Sequence, residues 1–325
     1  MKNKWTQQDI PDLTGKVVVV TGANSGLGLE STKALAAKRA TIVMACRNLD
    51  KAEQAKLEVL AANPNAKLAI MPLDNASLAS VRAFAHAFKE KYDRLDILLN
   101  NAGLMAIPRQ ETEDGFEMQL GVNHLAHFAL TGLLLDVLTK TPGARIHNTS
   151  SSAAFNGRIQ LDDLMGEKEY NRWSAYGQSK LANALFATEL NRRLQSAGHD
   201  SIANSSHPGL VMGNLQANSL AESGTPLLER ILYSIGQLLI AQDISMGVLP
   251  QLYASTAPDA KGGVFYGPKT LRLRGYPAEQ KCNDALDDAT LRKRFWEISE
   301  ELTGVTYAFS AEQTERTPAR KLQSA

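Results

Sequence analysis

Lys16-Val17-Val18-Val19-Val20-Thr21-Gly22-Ala23-Asn24-Ser25-Gly26-Leu27-Gly28 decides the fold of this 325-residue chain. Four consecutive valines leave no polar face, the pattern of a strand buried on both sides in a parallel sheet. Glycines follow at once, where the chain must turn tightly and permit close approach of another group. Leu27 to Lys38 is helical in composition, and Thr41 to Ala45 (TIVMA) again reads as a short buried strand. Together these segments predict a βαβ unit.

The alternation continues along the chain. Helices are predicted over Asp50 to Ala61, Ser77 to Lys91, Asp114 to Leu138 and Ala175 to Leu194. Strands are predicted at Lys67 to Pro72, Asp96 to Asn100, Arg145 to Thr149 and Ile202 to His207. Strands separated by helices imply right-handed crossovers, so the expected class is α/β, a doubly wound parallel sheet of Rossmann-type βαβ units with helices on both faces. With no internal repeat or low-complexity linker, a single domain over 15–309 is expected, behind a polar leader, 1–14. A polar tail, 310–325, reads as disordered. Between Ser219 and Asp243, Leu227, Leu228, Ile231, Leu232, Ile235, Leu238 and Leu239 form a helical stripe. It packs on the core or, over about 212–243, forms a lid on an apolar pocket.

Composition narrows the partners. Lys+Arg of 35 against Asp+Glu of 34 leaves a formal charge of +1, so no excess charge favours nucleic acid or an anionic membrane. Apolar runs such as Ile42 to Cys46 and Leu238 to Ala241 fall far short of the roughly 20 residues a membrane span needs. The polar N-terminus lacks a signal-like apolar stretch, and two cysteines, Cys46 and Cys282, form no framework. A cytoplasmic location is expected.

Gly22, Asn24, Ser25, Gly26, Leu27 and Gly28 end a strand and open a helix, the context in which backbone amides cradle a dinucleotide pyrophosphate. An NAD-binding site would place a carboxylate at the end of the second strand for the ribose 2′-hydroxyl. The chain reads Met44-Ala45-Cys46-Arg47-Asn48 there, and the Arg47 guanidinium suits the 2′-phosphate of NADP(H) instead. Asp50 is expected to cap the next helix.

Tyr176 and Lys180 lie four apart near the start of a predicted helix, hence on one face. A phenol titrates near 10, and lowering it by about 3 to act near neutrality requires ~4 kcal/mol. An ammonium about 4 Å away, at an effective dielectric of ~20, supplies ~4 kcal/mol before screening. On its own this spacing is common on solvated helices. Here it follows a predicted strand whose carboxyl end carries Ser150, Ser151 and Ser152, any of which can bond a substrate oxygen.

These residues resemble the short-chain dehydrogenase/reductase family. The resemblance rests on Thr21 to Gly28, Asp74, Asn100-Asn101-Ala102-Gly103, Asn123, the serine cluster, Tyr176-x-x-x-Lys180 and Pro208-Gly209, and it spans nearly the whole chain. Ala45 to Asn48, Val122-Asn123-His124 and His207-Pro208-Gly209 are most similar to the retinol dehydrogenase and protochlorophyllide reductase-like branch. The resemblance implies a catalytic tetrad of Asn123, Ser151, Tyr176 and Lys180. Tyr176 would transfer the proton, and Ser151, the second serine after the strand, would orient the reacting oxygen. Lys180 would lower the phenol pKa and hold the nicotinamide ribose, with Asn123 holding a water beside it. It further implies Asp74 beside the adenine, Asn101, Ala102 and Gly103 along the adenosine ribose, and Pro208, Gly209 and Val211 near the carboxamide. Gly213 departs from the family pattern, which often has Thr there, leaving Asn214 as a substitute. No N-terminal membrane anchor like that of many vertebrate retinol dehydrogenases is expected, which weighs against retinol itself as the substrate, and the family's frequent dimers and tetramers imply a homo-oligomer as one expectation.

The implied activity is NADP(H)-dependent hydride transfer to or from a carbonyl or alcohol carbon of a lipophilic small molecule. NADPH-dependent reduction of a conjugated C=C bond, and a non-catalytic NADP(H) sensor, are the alternatives. His124 and His127 share a helical face without a third ligand at metal-site spacing, so no metal is expected. Neither H-E-x-x-H nor G-x-S-x-G occurs. Arg272, Arg274 and Lys281 read as solvated surface.

Overall fold

The computed structural model describes residues 4–211 and 242–309. Strand β1 (Val17–Thr21) is buried along its whole length and pairs in parallel with β2 (Thr41–Cys46) on one side and β4 (Ile97–Asn100) on the other. With β3 (Lys67–Pro72), β5 (Arg145–Thr149), β6 (Ile202–Ser206), β7 (Phe265–Thr270) and β8 (Arg274–Gln280) these form one eight-stranded sheet. The order is β3-β2-β1-β4-β5-β6-β7-β8, parallel except for the β7–β8 hairpin. The strand order reverses between β1 and β4, where open sheets of this class hold their ligands.

The valines of β1 divide by the two-residue period of a strand. Val17 and Val19 face a layer containing Phe84 and Phe88 of α3 (Leu78–Lys91) and Phe186 and Leu190 of α7 (Arg172–Ser196). Val18 and Val20 face Leu35 of α1 (Gly26–Ala37) and Val59 of α2 (Leu49–Ala62). Trp5, Ile10 and Leu13, inside the stretch read as a leader, are buried in that second layer, with Trp5 edge-on to Tyr253 at 5.4 Å. Here the expected α/β architecture is borne out.

Several local expectations are corrected. The single helix expected over Asp114 to Leu138 is four pieces: α4 (Met118–Leu120), a π-turn over Gly121–Leu125, α5 (Ala126–Leu133) and α6 (Leu135–Lys140). Its start is set by Glu117, whose carboxylate accepts from the Gln119 and Leu120 amides, while Gly115 has a φ of +79° outside the helix. Asp50 does not cap α2. Asn48 does, accepting from the Lys51 amide at 2.9 Å. Helix α7 begins at Arg172, three residues early, because Asn171 accepts from the Trp173 and Ser174 amides. Two short helices, α8 (Ile244–Gly247) and α9 (Leu249–Thr256), precede the hairpin, and α10 (Ala289–Thr303) closes the face of α5 and α7. The expected stripe from Leu227 to Leu239, the lid, Gly213, Asn214 and the tail fall outside the described residues, apart from Gln242 and Asp243.

Candidate active site

The glycine-rich turn leaves the carboxyl end of β1 with Gly22 at a φ of +65° and Gly26 at +54°, conformations that suit glycine. A Cβ on Gly28 would lie 2.2 Å from the Gly22 carbonyl oxygen and 2.7 Å from Asn101 Nδ2, so nothing larger fits. Ser25 stands at the N-cap of α1 without a side-chain cap, and no acidic residue occupies the first turn. The first amides of α1 therefore meet no side-chain acceptor from the cap, and the space where a Gly26 side chain would stand is open. These features fit a bound phosphate at a helix N-terminus.

The next strand over supplies the opposite wall. Asn101 and Ala102 donate their amides to Thr21 Oγ1, both at 2.9 Å, and Asn101 Nδ2 donates to the Thr21 carbonyl at 2.9 Å. Gly22 approaches Ala102 closely enough that its Cβ would lie 3.2 Å from Ala102 Cα. Beyond it, a Cβ on Gly103 would stand 2.9 Å from Asn123 Oδ1 and 3.1 Å from Lys180 Nζ. Asn123 is fully buried in the π-turn, accepting from the Leu104 amide at 2.7 Å and donating to the Leu104 carbonyl and Ser179 Oγ.

Lys180 is 5% exposed, donates to the Thr149 carbonyl at 3.2 Å and sits 5.8 Å from the centre of the Tyr176 ring. Among the described residues it has no carboxylate partner, and burial pulls its ammonium down to about 8. Tyr176 itself is 8% exposed. Ser150 is turned away, its hydroxyl donating to the Lys180 carbonyl at 2.7 Å. Ser151 opens a 3-10 turn over Ser152–Asn156 and accepts from the Ala153 amide at a long 3.3 Å. That turn packs on α7, where a Cβ on Gly157 would lie 2.5 Å from the Gly177 carbonyl oxygen.

At the far end of the cleft, Arg47 is exposed and its Nη1 lies 3.9 Å from Asp74 Oδ2, a loose surface contact. Behind it, burial raises the Cys46 thiol to about 11 although the Ala23 and Asn24 amides face it. Asp74 also accepts from the Ala76 amide. On the other side, Gly209 has a φ of +74°, and a Cβ there would lie 2.2 Å from the Leu273 carbonyl oxygen. Gln242 holds this strand, donating to the Pro208 carbonyl at 2.7 Å, and it bridges Val211 in parallel. Arg47, Asp74, the glycine turn, Asn101 to Gly103, Ser151 and Pro208 to Val211 follow the carboxyl ends of strands, with Tyr176 and Lys180 on α7 beside them, whereas Gly213 and Asn214 lie outside the described residues.

Sequence reading missed three participants. Gln251 on α9 is buried beneath the glycine turn, accepting from Thr149 Oγ1 and donating to Ser31 Oγ. Asn75 and His127 join β1, the Asp74 loop and the π-turn. No spacing rule marks a glutamine or asparagine whose partners are distant in sequence. His127 was visible only as one of two histidines on a helical face. Among the described residues no group of His, Cys, Asp and Glu could hold a metal ion, and no helix is long and apolar enough to cross a membrane.

Comparison with known proteins agrees with this geometry. The family pattern of short chain dehydrogenases matches residues 16–223. Retinol dehydrogenase 12 of Mus musculus is 38% identical over 298 residues, covering 91% of this chain and 88% of its own. Retinol dehydrogenase 13 of Homo sapiens is 39% identical over 297 residues, covering 90% and 86%. A crystal structure of an uncharacterised protein from Mycobacterium paratuberculosis superposes with a TM-score of 0.76 at 38% identity, over 94% of this chain and 99% of that one. A short chain dehydrogenase from Shigella flexneri, complexed with NADP, shares the fold at a TM-score of 0.60 and 22% identity, over 78% of this chain and 97% of that one. With a family pattern over most of its length and relatives aligned nearly end to end, this chain belongs to the short-chain dehydrogenase/reductase family of oxidoreductases acting on alcohols and carbonyls, in its retinol dehydrogenase-like branch.

Proposed function

We propose that the chain acts with NADP(H) on the carbonyl or alcohol carbon of a lipophilic small molecule, and that Tyr176 exchanges the proton at the substrate oxygen. One observation carries this reading. Lys180 is a buried cation with no carboxylate beside it among the described residues, held over a tyrosine ring at the ligand-binding end of the sheet. A buried charge without a counter-ion costs stability, and such groups concentrate where chemistry requires them.

Lys180 Nζ lies 5.8 Å from the centre of the Tyr176 ring, and a cation about 6 Å from a phenolate charge stabilises it by about 3 kcal/mol at an effective dielectric of about 20. Tyr176 can then give up its proton to a developing alkoxide, or take one from an alcohol, near neutral pH. Lys180, lowered to about 8, remains mostly protonated at pH 7 and keeps that charge in place. Ser151, whose hydroxyl is only weakly engaged, donates to the substrate oxygen and fixes its direction. Asn123 holds the Leu104 main chain beside Gly103, where the missing Cβ leaves room for both Asn123 Oδ1 and the Lys180 ammonium.

The cleft fits the dinucleotide, which when bound supplies or accepts the hydride. Gly22, Asn24, Ser25, Gly26, Leu27 and Gly28 would surround its pyrophosphate, with Asp74 at the adenine. Asn101, Ala102 and Gly103 would line the adenosine ribose, and Tyr176 and Lys180 the nicotinamide ribose. Pro208, Gly209 and Val211 would face the carboxamide. Arg47, exposed and only loosely paired, is free to take the 2′-phosphate, with Asn48 beside it, which favours NADP(H) over NAD(H). The lipophilic substrate rests on Trp173, 44% exposed and edge-on to the Tyr176 ring at 6.4 Å, and on the retinol dehydrogenase relatives. Both cysteines are free and buried, which suits a reducing cytoplasm. The test is a spectrophotometric screen of NADPH oxidation with aliphatic, aromatic and polyene aldehydes, including all-trans-retinal. Turnover of at least one lipophilic carbonyl supports the reading, and none across the panel overturns it.

A further inference from the structure

We propose that His127, together with Asn75, is a positioning residue that shapes the π-turn carrying Asn123 and ties that turn to the dinucleotide cradle. The proposal rests on the oxidoreductase reading for its kinetic consequences, but its structural basis stands on hydrogen bonds alone.

A π-turn shifts backbone bonding by one residue and leaves carbonyls without their usual partners. Here the Ala126 amide donates to the Gly121 carbonyl, so it is not available to Val122. Asn75 Nδ2 reaches the Val122 carbonyl instead, at 3.3 Å, from the loop that also carries Asp74. The next carbonyl, that of Asn123, accepts from His127 Nδ1 at 3.0 Å. Two side chains thus meet consecutive main-chain carbonyls at the catalytic turn.

The partners fix the imidazole tautomer. A carbonyl only accepts, so Nδ1 must carry the proton. Nε2 then accepts from Asn75 Nδ2 at 2.9 Å and faces Thr21 Oγ1 at 3.0 Å. The Thr21 hydroxyl already accepts from the Asn101 and Ala102 amides, and its single proton is shared between the Leu99 carbonyl at 3.3 Å and His127 Nε2. The Asn75 amide orientation is set in turn by the Val122 carbonyl. A doubly protonated ring would press an N–H against the Asn75 amide, and burial, with the Lys180 charge nearby, holds the group down to about 4. His127 therefore stays neutral and locked between the end of β1, the Asp74-Asn75 loop and the Asn123 carbonyl.

The two ring nitrogens can be separated by substitution. Asn at 127 retains a donor near the Nδ1 position and loses the far acceptor. Gln retains an acceptor near the Nε2 position and loses the donor to Asn123. NADPH affinity is read by fluorescence enhancement without turnover, and kcat with all-trans-retinal or whichever screened carbonyl is reduced. His127→Asn should weaken NADPH binding about fivefold or more while keeping kcat within about threefold. His127→Gln should lower kcat about tenfold or more while keeping NADPH affinity within about threefold. Equal changes in both variants, or no change in either, overturn the proposal, because a merely structural histidine would not split the two parameters. If both variants fail to fold, Asn75→Ala, on a partly exposed loop, should weaken NADPH binding about fivefold or more, and unchanged affinity overturns the proposal. Independently of any activity, 15N-histidine NMR of the wild-type protein at neutral pH should show His127, assigned by its loss in either variant or by its shift in Asn75→Ala, as the Nδ1–H tautomer. The Nε2–H tautomer overturns the proposal even in an active enzyme, whereas absent turnover with the Nδ1–H tautomer present faults only the oxidoreductase reading.

Discussion

Lowering the pH from 7 to 5 should destabilise this fold sharply. His124, His127, His147 and His207 are all at most 1% exposed, and burial holds them down to about 3, 4, 4 and 4 respectively. In the unfolded chain each titrates near 6.5, so below that pH the unfolded state binds protons that the folded state refuses. Stability is therefore lost as pH falls from about 6.5 toward the folded values. At pH 5 the linkage amounts to about 2 kcal/mol per histidine, or about 8 kcal/mol for the four, and to under about 1 kcal/mol in total at pH 7. The loss is comparable with the whole stability of an ordinary domain, about 5–15 kcal/mol. Acidic groups whose values are lowered by partners, such as Asp96 and Glu189, add their losses only below the carboxylate range. Glu117, raised by burial, works in the opposite direction but is a single group. Guanidinium titrations followed by tryptophan fluorescence at pH 7, 6 and 5 measure the effect. A stability at pH 5 within about 1 kcal/mol of that at pH 7 would refute the reasoning, as would a folded-state titration of any of the four near 6.5.

Gly28→Ala places a methyl 2.2 Å from a backbone oxygen, and the turn must open to admit it. NADPH binding, followed by fluorescence, should weaken by about 100-fold or more, and near-wild-type binding would remove this turn from the pyrophosphate site. Arg47→Asp should reverse the dinucleotide preference, read as the ratio of kcat/KM for NADPH and NADH, by repelling a 2′-phosphate and accepting from a 2′-hydroxyl. An unchanged ratio would locate the phosphate contact elsewhere.

The centre of the sheet was legible because its residues obey short-range rules. Val17 to Val20 carry no polar side chain, so only burial on both faces suits them, and the six strands expected from such runs are all present within a residue. The β7–β8 hairpin was not legible, because Gly267, Pro268, Gly275 and Pro277 read as turn residues, although proline is tolerated at a sheet edge. The break in the helix from Asp114 to Leu138 was hidden for another reason. A run as apolar as Ala126 to Leu133 looks continuous, and the side chain that meets the Val122 carbonyl in the π-turn, Asn75, lies about 50 positions upstream. The cap of α2 was misjudged by two residues because Asp and Asn are similar N-caps, and position was decided by where β2 ended. At the site, Tyr176, Lys180 and the glycines were readable from spacing. Gln251 and His127 act through partners that only the folded chain brings near.

The phenol of Tyr176 is the group on which proton transfer most directly turns. Tyr176→Phe removes one hydroxyl from a ring that is already buried, so the fold and the dinucleotide cradle should remain intact. The decisive measurement is kcat for carbonyl reduction by this variant, alongside its NADPH dissociation constant on the same preparation. Turnover should fall by about 1000-fold or more, the scale of a lost general acid and its oriented hydrogen bond, with NADPH affinity within about threefold of wild type. Undiminished turnover at unchanged affinity would contradict the account, because the proton would then be carried by some other group.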